Sequence, residues 1–493
     1  MSTWIQKRGS FLLWLLITIA LASWLSHVLL RAEDKSVLLP GETTHGHYQI
    51  EMACSACHTE EEKDNIFTSS GVPNSACNNC HGQDLNDFSD SHPVRKFKNP
   101  ENAVFLEHVD ALSCVACHQE HNTKITQEMG VTIPADYCAH CHQVTLDNLP
   151  SHQDLEFHTC ATAGCHNYHD NIALAPSFLL KHYGESNNLE KQLVKELDAL
   201  ERWLSEGNKK RDSLTLAKAD APAPELQEES INQQWEHTAH AQAGINCSDC
   251  HDHPQTGAWI KQPDHTSCQT CHGTEVTDFL KGKHGMRLAQ DLSAMTPELA
   301  RQPMKESSAH RDLSCSSCHQ PHRYDREFAA HQACIQCHDD EHTKNYESSS
   351  HFRAWAAELS NEAPERSGVS CATCHLPREE RDGGMVVNHN QNANLTPNEK
   401  MLRNVCMDCH GLQFSMDSLA DQSLINRNFA GQPSESHPGI SWTVDAAIER
   451  GNEEIIALKK YLESPPQSQP EKKAGSNPTT NNQTKTNPKN EKE

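Results

Sequence analysis

The chain of 493 residues is short of the material that ordinary cores are made from: hydrophobic residues are 36% of it and aromatic residues 5%. The length suggests two or three domains, and side chains alone would fill their interiors thinly. That scarcity leaves two outcomes: disorder, or an interior filled by something else. Positive charge is scarce too. Lys and Arg number 42 against 67 Asp and Glu, for a formal net charge of −25. This excludes nucleic acid as a partner, because phosphate binding needs basic patches. What is abundant is cysteine (22) and histidine (34), both far above ordinary usage.

Only one stretch is apolar enough to cross a bilayer, Phe11 to Leu30, with Lys7 and Arg8 before it and Glu33 and Asp34 after Arg31. Twenty such residues span as one helix, and the basic pair places the rest of the chain outside the cytoplasm. Ala20-Leu21-Ala22 also fits a small-residue cleavage site. An uncleaved anchor is the favoured reading because the apolar run continues past Ala22, and a cleaved signal peptide is the rival. Either exports the chain.

Every cysteine falls into a motif. Ten read Cys-x-x-Cys-His: Cys54/Cys57/His58, Cys77/Cys80/His81, Cys114/Cys117/His118, Cys138/Cys141/His142, Cys247/Cys250/His251, Cys268/Cys271/His272, Cys315/Cys318/His319, Cys334/Cys337/His338, Cys371/Cys374/His375 and Cys406/Cys409/His410. The eleventh, Cys160/Cys165/His166, has four intervening residues. Two thiols three residues apart lie on one side of a helical turn, where both reach the vinyl groups of one haem, and the adjacent histidine becomes the proximal iron ligand. A disulfide framework or zinc ribbons would also use paired cysteines. Neither explains a histidine after the second cysteine every time. The expected cofactor is haem c, eleven copies.

The motifs fall into a cluster of five and a cluster of six, and within each they come in close pairs, a loosely kept two-haem repeat. Between the clusters, Leu189, Leu193, Leu197, Leu200 and Leu204 recur at helical spacing as a packing face, with Asn187 and Glu190 as a cap. Asp220-Ala-Pro-Ala-Pro-Glu225 follows as a stiff linker. The expected organisation is therefore an N-terminus and anchor or signal (1–32), a five-haem domain (33–186), a helix and Pro/Ala linker (187–230), a six-haem domain (231–440), a C-terminal amphipathic helix (441–463) and a disordered tail (464–493). The fold class is mostly α with extensive irregular loops: two multihaem lobes with haem as their core, plus an N-terminal transmembrane helix.

An iron that does not bind substrate needs a sixth ligand, and the spare histidines exceed the demand. His121, His169 and His322 each follow a motif histidine by three residues, while His47, His108, His240, His265, His310 and His331 stand just upstream of motifs. Repetition at a fixed offset is what a shared ligand role produces.

The stretches Ser370-Cys-Ala-Thr-Cys-His-Leu-Pro377, Asn388-His-Asn390 and Arg403-Asn-Val-Cys-Met-Asp-Cys-His-Gly411 resemble the superfamily of pentahaem nitrite reductase, octahaem hydroxylamine oxidoreductase and octahaem tetrathionate reductase. The resemblance makes His389 a distal ligand and, counting back five motifs, puts a substrate-binding haem at His272. The first cluster is similar to small class III multihaem cytochromes. All eleven motifs keep histidine, unlike the nitrite reductases, whose active-site motif carries lysine. Tyr346, His351 and Arg353 are the candidate catalytic residues, of types suited to an oxyanion and to proton delivery.

Two functions follow. One is an electron carrier on the periplasmic side of the bacterial inner membrane, passing electrons from a quinol dehydrogenase or another cytochrome to a terminal acceptor. The other is a reductase of nitrite, hydroxylamine or a sulfur oxo-compound at one open haem. The C-terminal helix offers an association face for a homo-oligomer.

Overall fold

The computed structural model describes residues 2–31, 35–59, 72–87, 92, 94–101, 110–134, 142, 168–169, 178, 181–182, 184–190, 199–253, 255–381, 384–395, 398–437, 456 and 460. Among these, helix is the rule and strand the exception. Five helices reach nine residues or more: α1 (Ser2–Leu30), α2 (Asn74–Asp87), α3 (Gly273–Lys281), α4 (Ser350–Leu359) and α5 (Leu412–Ala420). The one sheet described is a hairpin of β1 (Arg378–Arg381) and β2 (Gly384–Val387). Helix α1 contains an apolar span, Gly9–Val28, whose large side chains from Phe11 to Leu25 are mostly exposed. At about 1.5 Å per residue it is long enough to match the roughly 30 Å hydrocarbon layer of a bilayer, as a membrane anchor or a signal sequence would be.

Most remaining helices are single turns. A turn this short does not sustain itself in water, so its open amides are capped by side chains. Ser370 caps Cys371–His375 and Asn246 caps Cys247–His251, each with a reciprocal bond from the third helical residue. These turns carry the motifs, which is why the elements are short.

The buried apolar cluster lies against the last two motifs: Met401, Leu402, Leu412, Met416 and Leu419, with Phe178, Cys374 and Cys406 packed on it. Elsewhere in the second half a connected cavity of about 2280 Å³ takes the place of a side-chain core. Ordinary small-molecule pockets hold about 300–1,000 Å³.

Two expectations about the linker are corrected. Leu200 and Leu204 lie in the turn Ala199–Ser205, but Leu189 is outside any helix. Its amide donates to the Cys409 carbonyl at 2.7 Å, and Leu193 and Leu197 lie outside the described residues. The Pro/Ala segment is no free spacer, because Asp220 accepts from the Ser248 amide and hydroxyl at 2.9 and 2.6 Å, fastening it to the motif at Cys247. Residues 441–463 and 464–493 lie almost entirely outside the described residues.

Candidate haem-binding sites

The motif geometry begins with one backbone bond. The amides of His58, His118, His272, His319, His338 and His410 each donate to the carbonyl of the first cysteine of their own motif, at 2.9–3.0 Å. That single turn gathers both thiols and the imidazole to one side.

The expectation that both thiols of a motif sit within a helical turn is corrected where the turn is tighter. In the third motif the turn is 3-10 and covers only Cys114–Ala116. Cys117 lies just past its end, half-buried, with its amide donating to the Cys114 carbonyl at 3.2 Å. The physical reason is a competing partner: the Cys117 carbonyl accepts from the amide and the hydroxyl of Thr132 at 2.8 and 3.0 Å. Such short 3-10 pieces are common as connectors. Cys409 likewise follows a 3-10 turn, Cys406–Asp408.

A second histidine then faces the first. His47 stands opposite His81 at 6.0 Å between ring centres, His92 opposite His142 at 5.9 Å, and His169 opposite His118 at 6.2 Å. In the second cluster the pairs are His322 with His251 (5.9 Å), His240 with His272 (6.0 Å), His389 with His319 (6.3 Å), His284 with His338 (6.2 Å), His342 with His375 (6.1 Å) and His351 with His410 (6.2 Å). Metal–imidazole bonds of about 2 Å on each side, with roughly 1 Å more to each ring centre, put two axial imidazoles about 6 Å apart. The pairs therefore fit a haem iron between them, and the cysteines of all six second-cluster motifs except Cys247 line the cavity beside them.

The protonation states suit that role, since a metal ligand must be neutral. Burial first, and the facing imidazole second, bring His240, His284 and His351 down to about 4. His319 and His375 are brought down to about 4 by the same causes. Six of the rings are oriented by the main chain, and His342 Nε2 also lies 3.1 Å from Asn428 Nδ2. Nδ1 of His92, His118, His251, His342, His389 and His410 each meets a main-chain carbonyl at 2.6–3.2 Å.

The hairpin explains how His389 reaches its partner. Arg381 grips buried Asp278 of α3 through both carboxylate oxygens at 3.0 and 2.8 Å and also pairs with Glu379, which accepts from Asn388 at 2.7 Å. Burial raises the Asp278 carboxyl, and Arg381 opposes that rise. The network locks β1 and β2 to the helix that follows His272 and presents the next residue after Asn388 to His319.

The other expected site residues have varied surroundings. His351 faces His410 at 6.2 Å between ring centres. Tyr346 donates to the Val369 carbonyl at 2.8 Å and packs on Phe352, while exposed Arg353 reaches the Ser348 carbonyl at 3.3 Å. His272 faces His240 at 6.0 Å between ring centres. Among the distal candidates, His310 is 85% exposed beside Glu298, and His265 starts a short turn capped by Asp264. His331 is buried but lies against Tyr346 and Phe352. None of these three faces a motif histidine among the described residues. His108, Cys138, Cys141, Cys160, Cys165 and His166 lie outside the described residues.

His92, His284 and His342 face motif histidines although the offsets did not suggest them. The signal that finds the first two is the repeat: His92 follows His81 by eleven residues and His284 follows His272 by twelve. His121 stands at the same offset from His118 as His322 does from His319. His121 and His322 share a left-handed backbone, φ 61° and 62°, which non-glycine residues seldom adopt.

The two halves also touch. Arg287 donates to the Gln49 carbonyl at 2.8 Å, the Arg301 guanidinium lies 4.3 Å over the Tyr48 ring, and His410 Nδ1 meets the Asn187 carbonyl.

Comparison with known families matches two stretches, residues 46–143 and 239–339, to the family model of cytochrome c3. Each takes in four motifs, so the likeness to small multihaem cytochromes covers part of the second cluster as well as the first. These two stretches are cytochrome c3-like multihaem units, which makes electron transfer their class of function.

Proposed function

We propose that the chain is an undecahaem carrier, held to the inner membrane by α1, that passes electrons on the periplasmic side from a quinol-oxidising protein or another cytochrome to a terminal acceptor. The observation that carries it is the set of facing imidazoles, nine pairs among the described residues and one at each second-cluster motif. Haem held by two thiols and two imidazoles supplies one-electron exchange at an iron closed to substrate. The chain's own residues do the rest. Cysteines would fix each group, main-chain carbonyls orient several of the imidazoles, and burial covers His284, His319 and His375 in the second cluster. Eight motifs lie in the two cytochrome c3-like units, and His166, His375 and His410 extend them. The contacts at Tyr48, Gln49 and Asn187 support a rigid junction between the halves.

Low-temperature electron paramagnetic resonance of the oxidised protein, calibrated against total haem, tests the proposal. Every iron is expected low-spin with two nitrogen ligands. A high-spin iron that responds to nitrite, hydroxylamine or sulfite would overturn it in favour of a reductase.

A further inference from the structure

The two cytochrome c3-like units differ at one ligand. His47 and His240 are counterparts, each seven residues before the first cysteine of its unit and each facing the second motif histidine. His47 Nδ1 lies 2.6 Å from Glu120 Oε1. Glu120 is held in turn by the Thr44 amide at 2.6 Å and the Thr44 hydroxyl at 2.8 Å, and Thr44 is buried. His240 Nδ1 is buried and makes no hydrogen bond among the described residues. The reason is in the sequence: Glu120 follows His118 by two residues, and the residue two after His319 is Pro321.

A carboxylate that accepts the Nδ1–H strengthens the lone pair at Nε2, and its negative charge favours the more positive, oxidised metal. A main-chain carbonyl does this less, and an unpartnered Nδ1 not at all.

We propose that Glu120 is a positioning residue that sets the potential of the iron held by His47 and His81 below that of its counterpart held by His240 and His272. The two units then differ in potential at equivalent places. This rests on the multihaem reading, and the experiment separates the two.

The full-length protein is titrated potentiometrically as wild type and as Glu120→Gln, which keeps the shape and an acceptor oxygen but removes the charge. One haem component is expected to rise by a tenfold change in its oxidised-to-reduced ratio, about 59 mV for one electron, and Glu120→Asp to return toward wild type. A Glu120→Gln curve superimposable on wild type, with haem content unchanged, would overturn the inference. If Glu120→Gln fails to retain haem, Thr44→Val, which loosens the carboxylate without removing it, takes its place under the same two outcomes. Absence of covalent haem from the wild-type protein would instead overturn the multihaem reading itself, and this inference with it.

Discussion

The units at 46–143 and 239–339 place ligands alike and support them differently. Both take the ligand of the second motif from seven residues upstream of the first, and that of the fourth motif from between the second and third. Both draw the ligand of the third motif from beyond the matched stretch, His169 in one and His389 in the other. The supports are not repeated. A carboxylate backs His47, while a β-hairpin tied to buried Asp278 delivers His389. The lesson is that the repeat specifies which histidines face one another, and the surrounding chain specifies how firmly and at what charge each is held.

Removing the two borrowed ligands tests the shared plan most severely. His169→Ala and His389→Ala are each expected to convert one haem to high-spin, five-coordinate iron, seen by electron paramagnetic resonance. If only one variant does so, the units are not equivalent at the third site.

The hairpin is the next test. Arg381→Ala leaves the buried Asp278 carboxylate without its partner, a loss of about 3–5 kcal/mol where a buried pair is broken. Urea unfolding is expected to show this in the second unit, with the spectrum of the first unchanged.

Gly41→Ala strikes the first unit alone. A Cβ there would collide with the His121 main-chain carbonyl, whose imidazole Nδ1 meets the Gly41 carbonyl at 2.9 Å. Destabilisation of about 1–3 kcal/mol is expected from such overcrowding, read as a lower urea-unfolding midpoint. An unchanged midpoint would show that this contact tolerates the added methyl.

The smallest effect lies outside both units. Asp421 accepts from the Ser434 amide and hydroxyl and from the Leu424 amide, which lower its carboxyl to about 2. Its folded-state value lies below the ordinary 3.8. The stability it contributes is therefore present above 3.8 and lost as pH falls toward 2. Asp421→Asn is expected to flatten the acid-unfolding curve in that window.

The motif residues were legible in the sequence because their chemistry demands a fixed local spacing. That His47, His240 and His322 stand at short, repeated offsets was also legible, and each faces a motif histidine. The kind of turn was not: Cys117 leaves the helical path because Thr132, fifteen residues on, claims its carbonyl, and spacing within the motif cannot register that. An offset says nothing of ring direction: three residues before Cys334, the His331 side chain packs on Tyr346 and Phe352. The segment of His351 was singled out in the sequence, but not that its ring would face His410, and His342 facing His375 is likewise a matter of tertiary path rather than spacing. The scarcity of apolar residues foretold a core not made of side chains, and the cavity lined by the second-cluster motifs occupies that place.

The borrowed third ligand gives the molecule an order of completion. His169 and His389 lie 51 and 70 residues after the histidines they face, so each four-motif unit is made before the segment that supplies the imidazole facing its third motif. A chain cut between a unit and that segment would leave His118 or His319 without that ring.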